Sequence, residues 1–257
     1  MGHRILALNP GGGSTKVAFY EDSKAAYEDK IRHPADDLFK FASTLEQLDY
    51  RREAIDSLLS SWGVDKKRLS AAVGRGGPFK PLISGTYRVN ERMLSDIREG
   101  RVAADHPSNL GALLAHEIAS PLGIPAFIVD PVSVDEFIPE SRISGMPEIE
   151  RRSLSHALNM KMVGRKAAAQ LGKPYKKLNL VIAHLGTGIS IGAHRKGRQI
   201  DVNNANDGGP FSPQRTGYLP VTQLAKLCFS GSYDYDTMRM KITKQGGLLA
   251  YLGSDDI

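Results

Sequence analysis

Residues 4–20 read RILALNPGGGSTKVAFY, which places two short apolar segments on either side of a turn rich in glycine, serine and threonine. The pattern predicts strands at residues 4–8 and 16–20, joined by a turn at residues 9–15. Glycines let the backbone approach a ligand closely, and the Ser, Thr and Lys side chains add hydrogen-bond donors, so the turn is suited to binding phosphate oxygens. Taken alone, the same pattern fits an ordinary glycine-rich hairpin equally well.

The rest of the first half alternates strands with helices. Apolar residues at helical spacing predict a helix at residues 50–62, and a second predicted helix is capped by Ser108. Short apolar runs predict strands at residues 71–74 and 126–129, the second of which ends at Asp130. This order predicts an α/β domain with a mixed sheet.

The pattern restarts after a connector at residues 131–149 that is rich in proline and glycine. A long helix is predicted at residues 149–171, and the sequence HLGTG at residues 184–188 forms a second glycine-rich turn between strands. Strands are predicted at residues 178–183, 189–193 and 199–202. Two helices follow, the first with Cys228 on its core-facing side. Because each half has a glycine-rich turn between strands, the sequence indicates a duplicated fold.

Composition and charge narrow the function classes. A length of 257 residues with 41% hydrophobic residues gives room for one large or two small domains and excludes a disordered or collagen-like chain. The net charge of +6 comes from residues 151–200, which hold 11 Lys and Arg and no acidic residue. A local excess of this kind, with only 7% aromatic residues, argues against nucleic-acid binding.

No apolar run approaches the ~20 residues that cross a bilayer, and the first residues lack the layout of a signal peptide. A single cysteine cannot form an internal disulfide, which favours a reducing compartment. We therefore expect a cytoplasmic protein that does not associate with membranes.

Four side chains in or beside glycine-rich loops and strand ends are candidates for chemistry. Arg75 and Arg215 lie in Gly-rich loops, where the planar guanidinium suits bidentate contact with carboxylate or phosphate and the glycines would leave room for a ligand. Asp130 ends a buried strand, a position typical both of Mg²⁺-associated carboxylates and of turn-capping residues. His106 precedes a helix, where it either contacts substrate or supports the helix N-terminus.

Seven separated motifs together resemble the acetokinase family, and within it the butyrate kinases and branched-chain fatty-acid kinases. They cover nearly the whole chain, which makes the set far more specific than any one member. In chain order they lie at residues 9–16, 75–77, 106–110, 129–131, 184–190, 201–205 and 215–217.

The resemblance implies two duplicated α/β domains of the ribonuclease-H-like type found in actin and acetate kinase, with mixed sheets and an incomplete second domain. Residues 1–148 would carry the carboxylate and phosphoryl motifs, and residues 149–257 would bind the nucleotide phosphates and stop before the adenosine motif. The implied reaction is butyrate + ATP ⇌ butyryl phosphate + ADP with Mg²⁺. The implied assembly is a homodimer or a higher homo-oligomer.

Individual roles also follow from the resemblance. Five residues would act in catalysis: Asn9, Arg75, Asp130, His184 and Arg215. Arg75 and His106 would bind the carboxylate substrate, and Asn9 and Asp130 would contact the metal indirectly. The nucleotide phosphates would be bound by two turns, at Gly12, Gly13, Ser14, Thr15 and Lys16 and at Gly186, Thr187 and Gly188.

Two other hypotheses stay open at this point. In the first, the chain is a truncated or degenerate member of the acetokinase family that binds carboxylate or phosphate without catalysis. The reason is that members of the family continue past the point that corresponds to residue 257. A sugar kinase or chaperone-type ATPase on the same fold is less favoured, because Arg75, His106 and Arg215 suit a small carboxylate better than a polyol. The sequence does not identify the preferred acid.

Overall fold

The computed structural model describes residues 2–206 and 208–256 and divides into two compact units, with the division after Ser133. Met1, Asp207 and Ile257, which belong to the predicted domain ends and to one predicted loop, lie outside the described residues. The division falls inside the predicted connector and places residues 134–148 in the second unit.

The first unit is built on a six-stranded sheet with the order β3-β2-β1-β4-β6-β5. Strands β1, β4 and β6 run parallel to one another, and the remaining neighbours pair antiparallel. The predicted α/β class with a mixed sheet is thereby confirmed. The strands are β1 (Arg4–Pro10), β2 (Ser14–Glu21), β3 (Lys24–Arg32), β4 (Ala71–Arg75), β5 (Thr86–Arg88) and β6 (Ala126–Val129).

Two helices cover one face of this sheet and form the main core. Ile55 and Leu59 of α2 and Leu113 and Leu114 of α4 pack with buried strand residues such as Leu6. Burying each of these side chains contributes about 1.5–3 kcal/mol. Strands β3 and β5 and helices α1 and α3 have no counterpart in the sequence predictions. The helices are α1 (Ala35–Leu38), α2 (Leu48–Ser61), α3 (Glu91–Arg98) and α4 (Leu110–Ala119).

The second unit has an antiparallel sheet in the order β7-β8-β9. Helix α5 covers one face, and the core contains Phe137, Met160, Ile182 and Val202. Within residues 2–206 and 208–256, no helix has both the length and the apolarity needed to span a membrane. The elements are α5 (Ala157–Gln170), β7 (Asn179–His184), β8 (Ser190–Arg195), β9 (Arg198–Val202), α6 (Val221–Cys228), α7 (Tyr235–Thr243) and α8 (Gly247–Leu252).

Two sequence predictions for this unit are wrong. The helix predicted at residues 149–171 begins only at Ala157. Residues 149–156 are irregular, and their side chains bind other segments: Arg151 Nη2 lies 2.7 Å from Asp201 Oδ1, and Ser153 Oγ donates to the Val134 carbonyl at 2.7 Å. Cys228 is exposed rather than in the core, because α6 has no buried residue.

The second unit contains a buried polar network, to which α5 contributes Lys161. Lys161 Nζ lies 2.7 Å from Glu136 Oε2, and both side chains are almost fully buried. His194, 2% exposed, contacts the Tyr175 hydroxyl through Nδ1 at 2.6 Å. Burial and the nearby Lys161 lower the pKa of His194 to about 4, with Glu136 acting in the opposite direction.

We expect this depressed pKa to make stability fall with acidification. The unfolded histidine binds a proton below its ordinary value of 6.5, whereas the folded one stays neutral to about pH 4, so stability present above pH 6.5 is lost as the pH falls. Between pH 7.5 and 5 the loss is about 2 kcal/mol for this residue. Urea unfolding of the wild type and His194→Gln at both pH values checks it: the difference between the two proteins should shrink by that amount. A constant difference would contradict the assignment.

Candidate active site

Three predicted site residues from separate motifs lie at one edge of the first sheet. Asn9 is near the end of β1, Arg75 ends β4, and Asp130 directly follows β6. Because the carboxyl ends of parallel strands meet at the same edge, these side chains are neighbours, and Arg75 Nη1 lies 3.4 Å from Asn9 Oδ1. This is the edge at which α/β sheets bind ligands.

Arg75 is half-buried, and the burial lowers the pKa of its guanidinium. Within the described ranges, no carboxylate lies within ion-pair distance of it, and its contact with Asn9 is its one side-chain hydrogen bond. Guanidinium groups held this way suit bidentate binding of carboxylate or phosphate. Arg75 therefore has the environment of an anion-binding residue.

Asp130 is fixed rigidly by its neighbours. The side chain is 2% exposed, and Oδ1 accepts hydrogen bonds from Ser84 Oγ at 2.6 Å and from the Gly85 amide at 2.9 Å. Its backbone φ of 39° is uncommon for a residue with a side chain. Because Oδ1 is held by the protein, Asp130 is better suited to orienting a metal's water shell than to direct ligation through that oxygen.

Protein atoms occupy the space beside the glycines around Arg75. The expectation that these glycines leave room for a ligand is therefore wrong. A Cβ on Gly74 would lie 1.9 Å from the Gly111 carbonyl oxygen, so the glycine pair allows α4 to pack directly on β4. A Cβ on Gly76 would lie 2.4 Å from Pro131 Cβ, and one on Gly77 would lie 2.0 Å from Asn109 Oδ1. These glycines position the strand end that carries Arg75.

We expect Gly74→Ala to destabilise the first unit by about 3 kcal/mol, the upper range for overpacking a core. Gly85→Ala is the matched control, because its Cβ would meet only the Tyr87 ring at 3.5 Å. Urea unfolding followed by the fluorescence of Trp62, the only tryptophan, measures both variants. Equal midpoints for the two variants would refute the packing explanation.

His106 supports a helix start, and the prediction that Ser108 caps the helix is wrong. His106 is the N-cap of a 3₁₀ turn at Pro107–Asn109 that leads into α4. Its Nδ1 accepts from the Ser108 amide at 3.1 Å and contacts Ser108 Oγ at 2.7 Å. The ring is exposed, so the support role does not remove it from a substrate's reach.

The first glycine-rich turn is open at its tip. Gly12 and Gly13 are exposed, and a Cβ on either would meet nothing within 4 Å. Ser14 is half-buried and Lys16 is exposed, opposite Asn9 in the strand register. Thr15 differs from these residues, because its side chain is fully buried and its hydroxyl contacts His33 and Arg51. The predicted phosphate contact at Thr15 is thus restricted to its backbone.

The second turn begins at His184, which lies against a histidine that the sequence analysis did not single out. The rings of His184 and His156 stack with centroids 3.8 Å apart, and His156 Nδ1 contacts Ser190 Oγ at 3.0 Å. Asn159 Nδ2 lies 2.8 Å from His184 Nδ1. With Asn159 as donor, the His184 proton sits on Nε2, the atom nearest to Gly186.

Arg215 packs directly on this second turn. A Cβ on Gly188 would lie 2.3 Å from Arg215 Nη1, which also donates to the Ala205 carbonyl. Ser212 Oγ donates to the Thr187 carbonyl at 2.6 Å and accepts from the Arg215 amide at 3.1 Å. The second unit therefore brings together His184, the Gly186–Gly188 turn and Arg215.

The donor set suits Mg²⁺ only in combination with nucleotide phosphates. In the part of the chain that the structure describes, no cluster of three or more His, Cys, Asp or Glu could hold a metal. Mg²⁺ in phosphoryl-transfer sites keeps several waters and needs only one or two protein ligands besides the phosphates. Asn9 and Asp130, at one sheet edge, fit that requirement.

Comparisons with known proteins give a family match for part of the chain and a likeness of fold. Residues 148–253 match the model of the acetokinase family. The fold is similar to that of acetate kinase from Porphyromonas gingivalis, with a TM-score of 0.72 and 19% identity over 99% of this chain and 71% of that one. A propionate kinase from Francisella tularensis subsp. tularensis SCHU S4 gives a TM-score of 0.69 at 19% identity, again over 99% of this chain and 71% of the other. Acetate kinase from Entamoeba histolytica gives 0.70 at 14% identity, over 98% and 68%. At these identities the structural likeness shows the fold.

Proposed function

We propose that this protein is a carboxylate kinase of the acetokinase family, which transfers the terminal phosphoryl group of ATP to a short-chain fatty acid. The observation that carries the proposal is Arg75, a guanidinium with no carboxylate partner among the described residues, beside Asn9 at the carboxyl edge of a parallel sheet. The family match over residues 148–253 and the fold of acetate and propionate kinases support it.

The proposed chemistry needs no general base. A carboxylate oxygen attacks the γ-phosphorus, the bond from that phosphorus to the bridging oxygen breaks, and ADP leaves with the electron pair. Since two anions must approach each other, the barrier is lowered by cations and N–H donors. The residues of the two candidate turns and Arg75, His184 and Arg215 are groups of this kind.

Roles are proposed for the residues of each unit taken by itself. In the first unit, Arg75 and His106 would bind the carboxylate, and the first turn with Asn9 would contact a phosphoryl group. In the second unit, Gly186–Gly188 would bind nucleotide phosphates, and His184 and Arg215 would bind phosphoryl oxygens. Bound Mg²⁺ would neutralise charge on the phosphates, with Asn9 and Asp130 holding its water shell. We add His156 as a positioning residue, because its ring stacks on the ring of His184.

We propose butyrate or a branched short-chain acid as the substrate, on the resemblance of the seven sequence motifs. The structural neighbours are named as acetate and propionate kinases, which places the alternatives within the same chemical class. Comparing acids of increasing length therefore tests the substrate proposal separately from the reaction type.

Trapping of acyl phosphate with hydroxylamine tests the proposal. The full chain is incubated with Mg-ATP and, in separate reactions, acetate, propionate, butyrate and isobutyrate. We expect hydroxamate with each acid and the highest kcat/KM for butyrate or isobutyrate. A preference for acetate would contradict the substrate, and no hydroxamate with any acid would contradict the enzyme in favour of a binding module.

Assembly and location are further parts of the proposal. Val181, 77% exposed, lies on the outer face of the second sheet, and Phe229, 92% exposed, follows α6. Exposed apolar side chains of this kind favour a partner surface, here a second copy in a homodimer or higher homo-oligomer. We propose the cytoplasm as the location, because the chain has a single cysteine.

A further inference from the structure

A buried arginine lies directly beneath the first glycine-rich turn. Arg51, on α2, is 0% exposed. Its Nη1 donates to Thr15 Oγ1 at 3.0 Å, and its Nη2 donates to the Gly12 carbonyl at 3.0 Å. Two further hydrogen bonds, from Nε at 3.1 Å and Nη2 at 2.9 Å, join it to Gln47 Oε1. The guanidinium thus connects the helix to the turn.

All of these partners are neutral. Across residues 2–206 and 208–256, no carboxylate lies within ion-pair distance of Arg51. Its neighbour Arg52 shows the contrast, with Asp49, Asp56 and Glu117 within 3.6 Å. Buried charges in proteins are normally paired, because an isolated charge loses its hydration. A buried guanidinium without a counter-ion therefore favours an anion in its vicinity.

The hydrogen bonds also set the direction of the turn's amides. In a trans peptide the carbonyl and the N–H point in opposite directions. Since the Gly12 carbonyl points at Arg51, the N–H of Gly13 points away from the helix. The Gly13 carbonyl accepts from the His33 amide at 2.9 Å, which holds the next peptide as well. Hydrogen bonds from Arg51 and from the His33 amide therefore hold the exposed tip at Gly12 and Gly13 in one orientation.

We propose that Arg51 is a positioning residue for phosphate binding at the first turn: it holds the Gly12–Gly13 peptide with its N–H outward and adds an uncompensated positive charge behind it. The inference rests on the proposed role of this turn. Phosphate oxygens of a nucleotide or of an acyl phosphate would complete the charge balance without touching Arg51.

Titration with inorganic phosphate tests this role in the full chain, followed by the backbone ¹⁵N shifts of Gly12 and Gly13. We expect the wild type and Arg52→Gln to bind with equal affinity and Arg51→Gln to bind about tenfold more weakly, the effect of one unit charge about 12 Å away at an effective dielectric of ~20. Arg51→Lys keeps the charge, so it should stay within about threefold of the wild type.

Equal affinity of Arg51→Gln and the wild type, or Arg51→Lys as weak as Arg51→Gln, would overturn the inference. If Arg51→Gln does not fold, the wild type carries the test alone: phosphate should shift the Arg51 Nε resonance, and no shift would overturn it. Hydroxamate formation by the wild type is scored separately. Its absence would refute the proposed enzyme, whereas phosphate binding that depends on Arg51 would still support this role.

Discussion

We expect Arg75→Ala to lower kcat/KM for acyl phosphate formation at least about a hundredfold, because it removes a cation that acts on charge developing in the transition state. The free energy of unfolding should change little, since the one side-chain hydrogen bond of Arg75 within residues 2–206 and 208–256 is long, 3.4 Å to Asn9, and its replacement removes a half-buried charge. Steady-state kinetics with butyrate and urea unfolding measure the two effects.

Two further variants accompany this one: the first distinguishes the planar shape of the Arg75 guanidinium from its positive charge, and the second is a control. Arg75→Lys keeps the positive charge without the planar fork, so an intermediate loss is expected. Arg88→Ala removes an exposed arginine of β5 in the same unit and should leave kinetics unchanged. Near-normal activity of Arg75→Ala would show that this edge does not bind the reacting anions.

The second large effect is expected at the contact between Arg215 and Gly188. Arg215→Ala removes the guanidinium, and Gly188→Ala displaces it, because the new Cβ would lie 2.3 Å from Nη1. We expect each change to lower kcat/KM at least about a hundredfold. In the double variant the losses should not multiply, since both remove the same contact.

Gly145→Ala is the control for this cycle, because its Cβ would meet nothing within 4 Å. Thermal unfolding accompanies the kinetics, since Arg215 also donates to the Ala205 carbonyl and its loss lowers stability. Fully multiplicative losses would mean that Gly188 and Arg215 act independently and that their contact has no catalytic role.

The strands and turns that carry the candidate site could be predicted because their signals are local. Strands β1 and β2 alternate between buried and less buried residues around the first glycine-rich turn, and β7 and β8 flank the second. Parallel pairing brings the ends of β1, β4 and β6 together, and this pairing is a finding of the structure.

Features that depend on tertiary contacts could not be predicted in this way. Strand β3 is exposed along nearly its whole length, so it lacks apolar alternation, and only pairing with β2 makes it a strand. Residues 149–156 have a helix-compatible composition, but they are irregular and form hydrogen bonds to distant segments instead. Because the predicted helix runs over residues 149–171, the prediction places His156 inside it. In the structure His156 lies beside Ser155 at the start of α5, where it would have been recognised as a candidate.

The directions of individual side chains were also not predicted from the sequence. Thr15 belongs to the turn motif, yet alternation along β2 turns its hydroxyl toward the core. Arg51 looks like a surface charge next to Arg52, and its burial follows from the position of α2 against the turn. Helical spacing places Arg51 on the same side of α2 as Ile55, but the sequence does not show which groups meet its charge there.

The reverse reaction tests the central claim most directly, because it requires both substrates and yields a product that background hydrolysis cannot form. The full chain is mixed with butyryl phosphate and Mg-ADP, and ATP is measured by luciferase luminescence. We expect ATP that depends on both substrates and is lost in the Arg75→Ala, Arg215→Ala double variant. No ATP from the folded wild type, or equal ATP from the double variant, would contradict this claim.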